Sequence, residues 1–234
     1  MEKKLDISVI SPVFNELENL ETFVESVTAV MNSTNMSWEL IIVDDGSNDG
    51  SSKILKKIGH QENIRSILLS KNYGQTTAIQ AGFDNAVGEY FVTLDSDLQN
   101  DPKDIPMLIQ KLINEELDLV VGWRKDRKDN YFFRNLPSIL ANKLIGTITG
   151  VKLHDYGCSL KAYRAEVLKE VKLYGEMHRF IPAWMATKIP ASKISEIEVT
   201  HHPRIAGESK YGISRTFRVF VDLSSVYFLS LIHI

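Results

Sequence analysis

The chain has 234 residues, 44% hydrophobic and 24% charged, a balance that argues against disorder and supplies enough apolar surface for one large domain. Its formal net charge of −3 argues against bulk nucleic-acid binding, while leaving room for a local basic site. One cysteine, Cys158, excludes an internal disulfide framework and fits a reducing compartment, where the thiol is expected to act as a small buried hydrophobe.

The N-terminal stretch MEKKLDISVI reaches a strand pattern at once, without the apolar core or cleavage site of a signal peptide, so the chain is expected to start in the cytosol. Ile7 to Val13 reads as a first strand, and Pro12-Val13-Phe14-Asn15-Glu16 ends it in a polar turn before a helix from about Leu17 to Met31. Glu39 to Val43 is a second strand, closed by Asp44-Asp45-Gly46-Ser47 and followed by a helix to about Ile58. Ile64 to Leu69 gives a third strand, Lys71 to Gly74 a turn, and Thr76 to Ala86 a helix. Strands and helices alternating through short turns predict an α/β fold with a mostly parallel sheet flanked by helices.

Tyr90 to Leu94 is an apolar, β-prone run closed by Asp95-Ser96-Asp97. Continued strand alternation would place both carboxylates on one face, where as anions they repel. A divalent cation bridging them to a polyanionic ligand explains such a pair, and an Asp-rich turn is the plain alternative. A calcium-binding helix-loop-helix is excluded, because its loop would need Gly at Asn100 and Glu at Pro106. Open α/β sheets bind ligands beyond the carboxyl ends of their strands, which is where Glu16, Asp44, Asp45, Asp95 and Asp97 all fall. The sequence has neither the glycine fingerprint of a dinucleotide fold nor a phosphate-binding loop with Gly-Lys-Ser/Thr.

After a helix to about Glu116, Leu117 to Gly122 reads as another strand, leading into the charge run Trp123 to Asp129. Arg124, directly after that strand, and Arg134 are the candidates to reach a phosphate. Leu136, Ile139, Leu140, Leu144 and Ile148 mark one face of a helix that ends at Gly150, and His154 to Ser159 forms a polar turn before Leu160 to Tyr163. A helix around His178 to Lys188 and a strand from Ile194 to Thr200 complete the globular part. His201 and His202, adjacent on a strand, point to opposite faces and do not readily chelate one ion. From His202 to Phe220, Arg204, Lys210, Arg215 and Arg218 accompany helically spaced apolar residues, a pattern suited to an anionic membrane surface. The apolar run from Leu223 to Ile234 is shorter than the about 20 residues a membrane-crossing helix needs, so it reads as a surface segment or as part of such a helix.

Four ordered motifs carry a resemblance: Pro12-Val13-Phe14-Asn15-Glu16, Asp44-Asp45-Gly46-Ser47, Leu94-Asp95-Ser96-Asp97-Leu98-Gln99, and Arg204-x-x-Gly207-x-Ser209-Lys210-Tyr211. Together they resemble the inverting family 2 glycosyltransferases of GT-A fold, and within them the polyprenyl-phosphate branch, from about Ile7 to Tyr211. The resemblance implies a catalytic domain over residues 1–211 and an amphipathic, membrane-proximal segment over 212–234. It implies that Pro12, Phe14, Glu16, Asp44 and Asp45 serve the nucleoside pocket. It further implies that Asp95, Asp97 and Gln99 surround Mg²⁺ or Mn²⁺, and that Arg124, Arg134, Arg204, Ser209 and Lys210 bind phosphate. Asp155 resembles the general base of bactoprenol-type members, so Asp155 and Asp97 are the implied catalytic residues. The implied partners are a nucleotide-diphosphate sugar, by likeness to bacterial members a uridine one such as UDP-glucose, and a polyprenyl phosphate such as undecaprenyl phosphate. The implied location is the cytoplasmic face of the cell membrane, in cell-envelope glycan modification, with homo-oligomerisation left open and no nucleic-acid partner. The alternatives are a hydroxyl acceptor, a nucleotidyltransferase that would release pyrophosphate, and a non-catalytic nucleotide- or lipid-binding subunit.

Overall fold

The computed structural model of the chain describes residues 5–125, 146, 150–169, 171–173, 175 and 177–203. Among the described residues the strands are β1 (Leu5–Val13), β2 (Trp38–Asp44), β3 (Ile64–Leu68), β4 (Gly88–Thr93), β5 (Leu119–Trp123), β6 (Lys161–Arg164) and β7 (Ile194–Glu198). They form one sheet in the order β3-β2-β1-β4-β6-β5-β7. β1 pairs in parallel with β2 and β4, β2 with β3, and β5 with β7, whereas β6 runs antiparallel to both its neighbours. The expected mostly parallel sheet is therefore present, with a single reversed strand inside it.

Burial explains the arrangement. Every residue of β2 is buried, as a strand covered on both faces requires. One face is covered by helices α1 (Leu17–Asn32), α2 (Ser51–Ile58) and α4 (Ile105–Asn114). Leu20, Phe23, Val24, Val27 and Met31 of α1 recur at helical spacing and pack with Ile7, Val9, Leu40 and Ile42. The opposite face carries helix α3 (Gln75–Asn85) and the segment from Val151 to Met185, around Ile10, Ile41, Phe83, Phe91 and Tyr163. Phe83 stacks on Phe91 with ring centroids 5.9 Å apart and meets Tyr163 edge-on at 5.8 Å.

Two local expectations change. β4 stops at Thr93, so Asp95 and Asp97 lie in the following loop and strand alternation does not set their directions. Leu98, at φ +60°, turns the loop left-handed between Asp97 and Gln99. The helix expected around His178 to Lys188 is a 3₁₀ turn, Met177–Arg179, followed by a separate helical turn, Ile181–Met185. Pro182 sits in the first turn of that second piece, where its missing N–H costs nothing, and it would break a helix running through it. The expected helix over 136–148, Arg134, and everything from Arg204 onward, including Ser209, Lys210 and the segment 212–234, lie outside the described residues apart from Gly146. No helix among the described residues is long and apolar enough to cross a membrane.

One glycine fixes how closely the turns at the sheet edge approach. Gly46 adopts φ +72°, and a Cβ there would lie 2.3 Å from the carbonyl carbon of Lys71 and 2.6 Å from the amide nitrogen of Asn72. Both obstacles are backbone, so neither can swing aside. Gly46→Ala is expected to destabilise the fold by about 2–4 kcal/mol, combining left-handed strain with overlap, which a denaturant titration would read as a lower midpoint.

Candidate active site

The turns after β1, β2, β3 and β4 are tied together by side chains capping one another's backbone. Asn15, in left-handed conformation, donates its amide to Ser47 Oγ at 2.9 Å and accepts from the Asn48 amide through Oδ1 at 2.9 Å. The first N–H of α1 is satisfied from the neighbouring turn, with Leu17 N donating to Asp49 Oδ2 at 3.0 Å. Asp49 also accepts from Ser51, and although burial works against its charge these hydrogen bonds hold its carboxyl below the usual range. Glu16 accepts from the Asn19 side chain at 2.8 Å.

Asp44 and Asp45 divide the work of the second turn. Asp44 accepts from the Ser47 amide at 3.0 Å and from the Ser52 hydroxyl, closing its own turn onto α2. Asp45 reaches the third turn, accepting from the Tyr73 amide at 2.7 Å and the Gly74 amide at 2.9 Å. Burial pushes the Asp45 carboxyl above its ordinary range, the two amides oppose that, and neighbouring Asp44 adds to it. Pro12 meets the fourth turn, its carbonyl accepting from Ser96 Oγ at 3.3 Å.

Asp95 follows β4 beside the antiparallel strand β6, and its Oδ1 accepts from Gln75 Nε2 of α3 at 2.9 Å. Burial raises its carboxyl, and a hydrogen bond with Ser159 and the charges of Lys161, Arg124 and Arg179 pull it back. Asp97 accepts from the Gln99 amide at 3.2 Å across the left-handed Leu98. Asp95, Asp97 and Gln99 together offer only oxygen from their acidic and amide side chains, the donor type that suits Mg²⁺ or Mn²⁺ rather than a thiophilic metal. Among the described residues no three acidic, histidine or cysteine side chains gather into a metal cluster.

At the end of β5, Arg124 meets Asp155 in a two-point ion pair, Nε to Oδ2 at 2.7 Å and Nη2 to Oδ1 at 3.0 Å. Both side chains are nearly buried, 11% and 13% exposed, so the pair is far better insulated than a surface bridge. Asp155 Oδ1 also accepts from the Gly157 amide at 3.1 Å, capping the turn. Lys161 of β6 is 2% exposed, and its ammonium donates to the carbonyl of Cys158, itself fully buried. Burial lowers the Lys161 ammonium to about 8, partly opposed by nearby Cys158, Asp155 and Asp95.

Pro12, Gln75, Asp95, Lys161, His178 and Arg179 all line one cleft. Of the sequence-predicted residues, Pro12 and Asp44 lie at the ends of β1 and β2, Phe14, Glu16, Asp45, Asp95, Asp97 and Gln99 lie in the turns that follow the strands, and Arg124, paired with Asp155, acts on Asp95 through its charge. Gln75, Lys161, His178 and Arg179 are the additions that sequence reasoning missed. A charged residue inside the apolar run Leu160 to Tyr163 was the available signal for Lys161.

Residues 8–172 match the family model described as "Glycosyl transferase family 2". A dodecaprenyl-phosphate galacturonate synthase of Rhizobium johnstonii is 57% identical over 97% of this chain and 68% of its own length. An undecaprenyl-phosphate 4-deoxy-4-formamido-L-arabinose transferase of Aeromonas hydrophila is 39% identical over 93% of this chain and 66% of its own. The chain thus spans about two thirds of the length of these relatives. In fold it is similar to glucosyl-3-phosphoglycerate synthase of Mycobacterium tuberculosis, solved with Mn²⁺, UDP-glucose and phosphoglyceric acid. That likeness has a TM-score of 0.75 at 16% identity, over 97% of this chain and 79% of the other.

Proposed function

The chain belongs to glycosyl transferase family 2, and from that premise we propose that it moves a sugar from a nucleoside diphosphate to a polyprenyl phosphate, inverting the anomeric carbon. The observation that carries the proposal is that Asp95, at the head of the acidic turn, lines one cleft with Lys161 and Arg179, and that the charges of these two and of Arg124 act on its carboxyl. A polyanionic donor needs both the acid and the cations. The two relatives are named for polyprenyl-phosphate sugar products or transfer, which supports the acceptor.

In this reading Pro12, Phe14, Glu16, Asp44 and Asp45 serve the nucleoside, and the uridine nucleotide is favoured. A divalent ion held by Asp95, Asp97 and Gln99 would supply charge neutralisation at the departing diphosphate. An acceptor phosphate oxygen attacks the anomeric carbon, the bond from that carbon to the diphosphate breaks, and its electron pair leaves with the nucleoside diphosphate. Arg124 commits Nε and Nη2 to Asp155, leaving its other N–H groups for a phosphate. Arg134, Arg204, Ser209 and Lys210 are assigned to the phosphates and residues 212–234 to the membrane surface, as an extension of a catalytic domain over 1–211.

The position of Asp155 favours a phosphate acceptor over a hydroxyl. A hydroxyl must lose its proton during attack, whereas a phosphate monoester, with a second pKa of about 6, is mostly dianionic at neutral pH. Asp155 is clamped to a guanidinium, and taking up a proton would forfeit that pair, so it serves better to aim Arg124 than to act as a base. The identity of the released phosphorus compound tests the reaction class. Turnover is expected to release nucleoside diphosphate, and release of pyrophosphate would show nucleotidyl transfer instead.

A further inference from the structure

Arg124 and Asp155 lie 31 residues apart in sequence, and each is preceded by a residue engaged in a second contact. Trp123, the last residue of β5, stacks on His154 with ring centroids 4.3 Å apart and planes 17° from parallel. Glu196 of β7 grips His154 twice. Its Oε2 accepts from the His154 backbone amide at 2.8 Å, and its Oε1 pairs with the ring Nδ1. The two segments that carry the ion pair are thus joined at adjoining positions, 123 to 154 by stacked rings and 124 to 155 by charge.

The sheet explains why Glu196 is in place to do this. β5 and β7 pair in parallel, with Val121 opposite Glu196 and Trp123 opposite Glu198, so these residues share one face. Leu119, Val121 and Leu153 are buried in one cluster, which anchors the turn just ahead of His154. Glu198 holds the other segment, accepting from Lys125 at 2.5 Å, while the Lys125 ammonium lies 5.4 Å from the centre of the Trp123 ring. The His154 side chain is 65% exposed, so burial does not hold it; the carboxylate and the stack do. Consecutive Cα atoms are about 3.8 Å apart, so fixing His154 at both amide and ring leaves Asp155 little freedom. A two-point pair between guanidinium and carboxylate tolerates little displacement, since a shift of about 1 Å takes one of its hydrogen bonds out of range. We propose that Glu196 and His154 are positioning residues for the transfer, holding the turn of Asp155 against the end of β5 so that Arg124 is aimed at phosphate. The proposal rests on the reading of Arg124 as a phosphate-binding residue, and it adds two residues that act on it through Asp155.

The test has two readouts on the full chain. The first is hydrogen exchange at Arg124 Nε–H, followed by NMR without substrate and assigned by its loss in Arg124→Lys. Glu196→Ala is expected to speed that exchange by about tenfold or more, and His154→Phe, which keeps a ring on Trp123 and the amide bond to Glu196, by less. The second is a double-mutant cycle on turnover with a uridine-diphosphate sugar, Mn²⁺ and undecaprenyl phosphate. Glu196→Ala should lower kcat/KM by about tenfold in the wild-type chain but by less than about twofold beside Asp155→Asn, because the clasp then has nothing to aim. Should Glu196→Ala melt well below wild type, Glu196→Gln, which keeps the shape and one acceptor, carries the same test with a smaller effect. Unchanged exchange at Arg124, or losses that simply add in the double variant, would overturn the proposal and leave the clasp as packing. A wild-type chain that makes no polyprenyl-phosphate product would instead overturn the reading of the site, and the clasp's role in transfer with it, whatever the exchange rates.

Discussion

Asp97→Ala is expected to abolish metal-dependent donor binding and to lower turnover by about 10²–10³-fold or more, the loss typical of removing one group that stabilises developing charge. The fold should survive. Asp97 lies outside the sheet, in a half-buried loop after β4, where it accepts from the Gln99 amide at 3.2 Å. Calorimetry with UDP in the presence and absence of Mn²⁺, beside a thermal melt, separates the two effects. A variant with unchanged metal-dependent UDP affinity would remove Asp97 from the ion's ligands. A variant that melts well below wild type would mark the residue as structural.

Asp155→Asn should cost about 10²-fold in turnover, by a route that its pH dependence reveals. In the structure both carboxylate oxygens hold Arg124, so the asparagine keeps one acceptor, loses the opposing charge, and leaves a nearly buried guanidinium without its counter-ion. If Asp155 aims Arg124 at a phosphate, the loss does not shrink as pH rises from about 6 to about 9, because the acceptor dianion needs no base. A general base would behave otherwise, the deficit shrinking as alkali ionises the acceptor unaided. The account expects no such recovery at high pH. Lower stability should accompany it, by up to about 3–5 kcal/mol, since one partner of an insulated pair is lost.

The acids at the sheet edge were legible because strand, acidic turn and helix recur along the chain and each turn sits at a carboxyl end. Asp44 and Asp45 could be placed that way, but not their separate uses. Asp44 closes its own turn, whereas Asp45 binds amides of Tyr73 and Gly74 that belong to the next turn. Asp95 and Asp97 were placed at the correct sheet edge with the wrong local geometry, since hydrophobic alternation does not report where a strand stops or that Leu98 turns left-handed. The charge of Lys161 stood out in its apolar run, but its place beside Asp95 was illegible for a topological reason. The reversed strand β6 sets Lys161 opposite Thr93, next to a loop distant in sequence, and no periodicity encodes that pairing. Arg179 was hidden in a stretch that reads as continuous helix until Pro182 divides it.

The central claim is tested most directly by the lipid product. The full chain is incubated with Mn²⁺, a uridine-diphosphate sugar and undecaprenyl phosphate, alongside a soluble hydroxyl acceptor in the same vessel. The product is identified by mass and by its anomeric configuration. The account predicts a polyprenyl phosphodiester carrying one sugar of inverted configuration, formed only with the divalent ion. A glycoside of the hydroxyl acceptor, with the lipid phosphate untouched, would contradict it.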